Sequence, residues 1–383
     1  MSFKFFLKTS LFVIIISALS YFSIGILQEK YQLMDIEEYS PISTLKVPVN
    51  KLYRSKFPFV DIHSHQFDMP VKDLSKLVVE MDSLNMAFLI NLSGSGFAAF
   101  AGNQKLMDLN LSKSLKNVKE NYPERFGVFL NIDFKKIDQE DFAAKNIEIL
   151  KNAKKQGAIG LKIYKSLGLS DKDNDGKRIS INDPRLAPIW ETCGKIGLPV
   201  LIHSGEPQSF WSPKDKYNER WLELRQKPGR YRDPKIYPSF DSIMSEQEEI
   251  FKIHKETIFI NAHMGWMANN LDHLSDHLDK YPNVYTEIAA VLAELGRQPR
   301  RARKFLIDYQ NRVLFGKDSY NVSEYHVYFR VLETDDEYFD YYRKRHAHWK
   351  IYGLSLPDSV LKKIYYKNAL KILPNIDSNL FNN

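Results

Sequence analysis

Four histidines and one aspartate carry the chemistry open to this chain: His63, His65, His203, His263 and Asp318. His63 and His65 stand one residue apart in FVDIHSHQF (59–67), directly after an apolar run. Strand side chains alternate with period two, so the two imidazoles face the same way. His203 closes LPVLIH, His263 closes TIFINAH and Asp318 closes RVLFGKD. A single histidine beside an apolar run is more often a satisfied core residue. Five such groups, each ending a run, point instead to a metal held by nitrogen and oxygen donors. That set suits Zn2+, with Mn2+ or Fe2+ as alternatives, and one ion rather than two.

The runs that end in these residues belong to a regular series. Eight short aliphatic or β-branched segments occupy 57–63, 86–92, 126–132, 158–164, 198–203, 257–263, 283–289 and 312–318. Near-continuous apolar runs of this kind suit parallel strands buried on both faces. Between them, segments such as 73–85, 267–282 and 300–311 carry apolar residues at helical spacing. Strand–helix alternation repeated eight times gives an α/β fold, a (β/α)8 TIM barrel over 57–375. The metal-ligand candidates then converge at the C-terminal ends of the strands, where barrel enzymes carry their chemistry.

The 383 residues include 54 Lys and Arg against 47 Asp and Glu, a net charge of +7 spread along the chain. No block of like charge and no nucleic-acid motif is present, so nucleic acid is not an expected partner. The lone Cys193 excludes an intrachain disulfide framework and a cysteine-based zinc site. At the N-terminus, Lys4 and Lys8 precede an apolar run from Leu11 to Leu27, and the acidic DIEE follows. The run is near the short limit of a membrane span, roughly 17–25 residues. It exceeds the usual signal-peptide core, roughly 7–15 residues. The expectation is a signal-anchor or transmembrane segment over 1–28, crossing through 9–27. A linker at 29–56, the barrel on the extracytoplasmic side and a tail at 376–383 complete the chain. Secretion after cleavage is the alternative, and a homo-oligomer is left open.

The ligand pattern resembles the amidohydrolase superfamily, in the amidohydrolase-related branch that includes aminocarboxymuconate-semialdehyde decarboxylase. The resemblance rests on His-x-His at 63–65, His203, His263 and Asp318. GLK, DPRLAPIW, LIHSGEP, LFGKDS and the closing YYKNALKIL carry it further. Lys317 and Ser319-Tyr320 flank the aspartate where the family often has a small residue before it and a proline after it. The resemblance implies that His63, His65, His203 and Asp318 hold the metal. Asp318 would take a proton from metal-activated water, and His263 would polarise the carbonyl or protonate the leaving group. The expected activity is hydrolysis of an amide, lactone or ester in a small, potentially anionic substrate. The alternatives are a decarboxylase on the same scaffold or a degenerate surface binding protein.

Other residues are candidates for substrate contact. Lys162, in AIGLKIY, would bind a substrate carboxylate or pair with a buried acid; the resemblance adds carbamylation between two metals, which some members of the superfamily show at a strand-four lysine. Glu206 would orient a ligand or touch substrate, or form a loop salt bridge. The insertion at 204–245 holds Trp211 and has eight Lys/Arg against six Asp/Glu over 206–241. It reads as a lid over an anionic or aromatic substrate, or as a structural flap. Arg297 is placed to reach an anion or to sit on a solvated helix face. DKDNDGKRISIN (171–182) imitates a calcium loop but ends in Asn182, and reads as a polar hairpin. His273 and His277 are expected to face solvent, and 346–348 is expected to be helical.

Overall fold

The computed structural model describes residues 3–31, 34–35, 38–373 and 376–382. They form two compact units, Met1–Lys46 and Val47–Asn383. The first has one helix among its described residues, α1 (Phe3–Tyr31), whose described side chains, 12–26, are exposed. Among the described residues no helix is long and apolar enough to cross a membrane. The span expected over 9–27 therefore has no support in the structure, and its ends lie outside the described side chains. In the second unit the expected linker residues contact the barrel. The Asn50 amide donates to Asp336 at 2.8 Å and the Ser55 amide to the Leu84 carbonyl at 3.2 Å.

Each of the eight runs contains one strand: β1 (Phe59–Ser64), β2 (Met86–Asn91), β3 (Phe126–Leu130), β4 (Gly160–Ile163), β5 (Val200–Ile202), β6 (Phe259–Asn261), β7 (Val284–Glu287) and β8 (Val313–Leu314). They pair in parallel and in chain order, and a helix follows every strand. The first and last strands meet beyond β8. The Ile62 amide donates to the Phe315 carbonyl at 3.1 Å and the Asp318 amide to the His63 carbonyl at 2.6 Å. The result is a nearly closed barrel of the TIM type.

Alternation explains why these strands are apolar throughout. Phe59, Val200, Ile202 and Phe259 face outward into the cluster beneath the helices. Val60, Ile62, Leu201, Ile260 and Leu314 fill the inside, packed with Leu373 and Phe381 of the closing segment. Each fully buried side chain of this size contributes about 1.5–3 kcal/mol. The closing segment plugs one end of the barrel, and chemistry is left to the other.

The helices are cut to fit. In α2 (Leu74–Leu84), Asp73 caps the Ser75 amide, and Leu74, Leu77, Val78, Met81 and Leu84 form the buried stripe. The helix stops at Asn85, whose φ of 68° is left-handed, and the Asn85 carbonyl accepts from Phe59 to start the β1–β2 pairing.

Two expectations about histidines change. In α3 (Leu271–Lys280) His273 is exposed, but His277 is buried beside Phe251 and Tyr281, with Nδ1 3.6 Å from Glu248. The stripe set by Leu271, Leu274 and Leu278 is wide enough to cover its neighbour. Residues 346–348 are irregular rather than helical, running from the end of a turn into a bend, and His346 lies buried near Glu223. The 171–182 stretch is a polar hairpin, with an antiparallel bridge between Lys172 and Arg178.

Candidate active site

The C-terminal ends of the strands bring the histidines and the aspartate together. His203 and His263 fall just past their paired residues, and Asp318 lies beyond β8 in a parallel bridge with Ser64 at the end of β1. His63 reaches the mouth through an irregularity. Val60 and Ile62 face inward, so strict alternation would turn His63 out, but the β1–β2 register shifts between Asp61 and Ser64. Its Nε2 lies 3.6 Å from Asp318 Oδ1, and His65 Nε2 lies 3.5 Å from the same oxygen. The His63 and His263 rings are 4.9 Å apart, and the His203 and His263 rings 4.5 Å.

These positions fit a divalent cation. One donor atom from each of His63, His65 and Asp318 lies within 4.8 Å of the other two. Donors at about 2.0–2.2 Å from a common ion stand at comparable separations. The far nitrogens set the tautomers. His63 Nδ1 is 2.9 Å from Glu287, His65 Nδ1 is 2.7 Å from the Ser93 hydroxyl and His263 Nδ1 is 2.8 Å from the Ala289 carbonyl. Each Nε2 is left for the mouth, which is how proteins orient imidazole ligands. Nε2 of His63 and of His203 is buried without a hydrogen-bond partner. Burial, with the Lys162 charge adding to it, holds His63 well below the ordinary histidine range, and burial takes His65 to about 4. Both are neutral at pH 7, the form a metal requires. Burial opposes ionisation of Asp318, but the facing imidazoles of His63, His263 and His65, when they carry a proton, and the Lys162 charge pull its carboxyl below the ordinary carboxylate range.

Two buried carboxylates absent from the sequence candidates hold this arrangement. Glu287 ends β7 and is fully buried. A second potential donor set, His63, His263 and Glu287, includes it. Its oxygens are already engaged, however: Oε1 takes His63 Nδ1 and the His263 amide at 2.7 Å, and Oε2 takes the Ala289 amide. It therefore supports ligands rather than acting as one. Gly316 passes so close that an added Cβ would lie 2.8 Å from Glu287 Oε2 and 2.9 Å from His63 Cβ. Glu287→Gln should weaken metal binding by about 10–100-fold. Titration of the stripped protein with Mn2+ measures this, and an unchanged affinity would remove the supporting role.

Asp61 works from outside the barrel. Its Oδ1 accepts the amides of His63 at 3.0 Å and Lys317 at 3.1 Å, next to two of the candidate ligands. Its Oδ2 accepts the Tyr325 hydroxyl at 2.5 Å, from α4 (Val322–Glu333). Burial raises the Asp61 pKa to about 7 against these hydrogen bonds. Tyr325→Phe leaves a buried acceptor unpaired and should cost about 1–3 kcal/mol in urea unfolding. A variant as stable as the parent would show that the bond is dispensable.

The rim is also strained. His263, Met264 and Trp266 have φ of 57°, 54° and 58°, and Asp318 has 79°, all left-handed. Such conformations cost about 1–3 kcal/mol each and gather at functional sites.

The remaining candidates divide. Lys162 faces the mouth from β4, and its Nζ is buried without a hydrogen-bond partner. Burial lowers its pKa to about 7, with Asp318 and Glu287 pulling the other way. Glu206 is engaged elsewhere, at 2.6 Å from Lys165 and 2.6 Å from Arg232. Trp211 donates to the Pro238 carbonyl at 2.8 Å and packs on Phe240. Arg297 pairs with Glu219 at 2.8 Å and Glu294 at 2.5 Å, and stacks on Trp349. The structure commits the polar groups of these three residues to partners within the protein.

A parallel (β/α)8 barrel with histidines and an aspartate converging at its C-terminal mouth defines a class of metal-dependent enzymes. The chain belongs to the amidohydrolase family, whose model matches residues 119–374. His63 and His65 precede the matched stretch and join it only in three dimensions. No curated protein matches the chain. Among solved structures it is similar to 2,6-dihydroxybenzoate decarboxylase from Rhizobium. That pair shares 15% identity, 82% of this chain, 98% of the other and a TM-score of 0.53. A dihydroxybenzoic acid decarboxylase from Polaromonas, with bound manganese and 2-nitroresorcinol, shares 13% identity over 86% and 100%, at 0.53. For 5-carboxyvanillate decarboxylase from Sphingomonas paucimobilis the values are 15%, 83%, 99% and 0.51.

Proposed function

We propose that this protein is a metal-dependent decarboxylase acting on a small carboxylic acid. The observation that carries the reading is the buried Lys162 Nζ, without a hydrogen-bond partner, beside the histidine–aspartate cluster. A buried charge is costly unless paired, and a substrate carboxylate would supply the partner. The decarboxylases with similar folds point the same way.

His63, His65, Asp318 and His203 are assigned to the cation, Zn2+ or Mn2+, which when bound supplies a Lewis acid to orient and polarise the substrate. Lys162 holds the acid group by a charge-assisted hydrogen bond. Loss of CO2 leaves an electron pair on carbon, and a proton must replace the lost group. His263 is assigned to deliver it from Nε2 as the imidazolium, since its Nδ1–H stays on the Ala289 carbonyl, and to take up a fresh proton from water between turnovers. Hydrolysis of an amide, lactone or ester would use the same cluster, with Asp318 as base, and gives Lys162 a task only where the substrate carries a separate acid group.

The test is incubation of the Mn2+- or Zn2+-loaded full chain with a panel of carboxylic acids, and separately of amides, lactones and esters. CO2 release from an acid is expected. Turnover confined to amides, lactones or esters, without CO2, would overturn the reading.

A further proposal concerns location: attachment outside the cytoplasm through residues 1–28. It rests on Lys4 and Lys8 before an apolar run and DIEE after it. Native full-length protein should stay with membranes through alkaline extraction. Its release at full length would end that proposal.

A further inference from the structure

Lys162 and Tyr164 line a pocket that extends between the segments following β3 and β4, and two carboxylates share its lining. Asp133 and Asp171 stand there, with Phe100 and Phe134 as apolar walls. Tyr164 links the pocket to the metal-ligand cluster, since its hydroxyl is 2.9 Å from Ser93, the partner of His65.

Asp133 is 8% exposed, and its two oxygens differ. Oδ1 accepts the Lys135 amide at 3.1 Å and caps a short helical turn. Oδ2 is buried without any hydrogen-bond partner. Asp171 is partly buried. Burial raises its carboxyl above the ordinary range against a hydrogen bond from Ser166 and the charge of Lys135, while the neighbouring Asp133 adds to the rise. Lys135 borders the pocket but is exposed, and among the described residues it makes no ion pair with either acid. Leaving a buried acceptor unmatched is costly, and a pocket beside it admits a donor from outside the protein.

We propose that this pocket is a subsite for an amino group on the substrate, with the acid of the same molecule held at Lys162 and the amine nitrogen donating to Asp133 and Asp171. An amine carries two or three N–H donors and can serve both carboxylates at once, whereas a hydroxyl has one proton to give. The aromatic walls suit a flat, unsaturated body between the two groups. The proposal rests on the reading that the substrate is a carboxylic acid.

The test is calorimetric titration of the Mn2+-loaded full chain with benzoate, the three aminobenzoates and the three hydroxybenzoates. At least one aminobenzoate should bind about tenfold or more tighter than benzoate, and tighter than its hydroxy counterpart. In Asp133→Asn, which keeps the oxygen that caps the turn, the ratio of aminobenzoate to benzoate affinity should fall toward one. Asp171→Asn should lower it less. Equal binding of all the acids would overturn the subsite, as would a preference that survives both variants. If the acids bind and Lys162→Met abolishes that binding, but amines gain nothing, the subsite alone fails. If no acid binds to metal-loaded protein, the carboxylic-acid reading fails with it.

Discussion

Asp318→Asn is expected to lower turnover on the order of 10^3-fold or more, while the chain remains folded. The substitution is unusually clean. Asp318 has a φ of 79°, a left-handed conformation that Asn tolerates and most other residues do not. Its amide bond to the His63 carbonyl, which ties the end of β8 to β1, involves only backbone and survives. What changes is the group facing His63 and His65. An oxygen that approaches both Nε2 atoms at 3.6 and 3.5 Å gives way to a neutral amide, with weaker attraction for a cation. Loss of bound Mn2+ should accompany loss of activity, with thermal unfolding close to that of the parent. Asp318→Ala would be a poorer choice, because alanine strains the same φ. A fully active Asp318→Asn enzyme would remove this residue from the chemistry.

Lys162→Met should separate stability from function. The side chain is 1% exposed and its Nζ has no hydrogen-bond partner, with only the Tyr164 ring 5.8 Å away, so an apolar residue of similar length ought to suit the unliganded protein better. Replacement of buried ionic groups by well-packed apolar ones is often stabilising by about 1–4 kcal/mol. The pH dependence gives the sign. The folded pKa is about 7, against 10.5 for the ordinary group. Below pH 7 the lysine is charged in both folded and unfolded chains, and its burial penalty is present in full. Between 7 and 10.5 the folded chain has released the proton, and the penalty fades. The stabilisation by methionine should therefore be largest below pH 7 and shrink above it. Activity should move the other way. Losing a buried, charge-assisted contact to the substrate acid should cost on the order of 10^2–10^3-fold in kcat/KM. Unfolding curves across pH and steady-state kinetics provide the two measurements. A methionine enzyme that is less stable at pH 6 yet normally active would reverse the picture on both counts.

Much of this was legible in the sequence because buried parallel strands write themselves as unbroken apolar runs. Each run held a strand, and in four of the eight the histidine or aspartate ending it marked the rim. Glu287 and Asp61 were overlooked although the same logic could have exposed them. A carboxylate inside NVYTEIA or FVDIH cannot meet water on either face, so it must have a fixed partner. What alternation could not foresee was the β1 irregularity that brings His63 inward after Ile62. For Glu206, Trp211 and Arg297 the sequence left substrate contact and a structural role both open, because it shows residue type but not partner. Lys165, Arg232, Pro238 and Glu219 supplied partners from distant segments. His277 misled for a similar reason: Phe251 from another helix, together with Tyr281 at the end of its own, covers its position.

Crystals of the full chain soaked in Mn2+ and measured by anomalous diffraction would address the heart of the matter. One strong peak is expected in the barrel mouth, within bonding distance of His63 Nε2, His65 Nε2 and Asp318, with His203 beside it. A fully soaked crystal with no peak there, or with manganese only on the outer surface, would contradict the assignment.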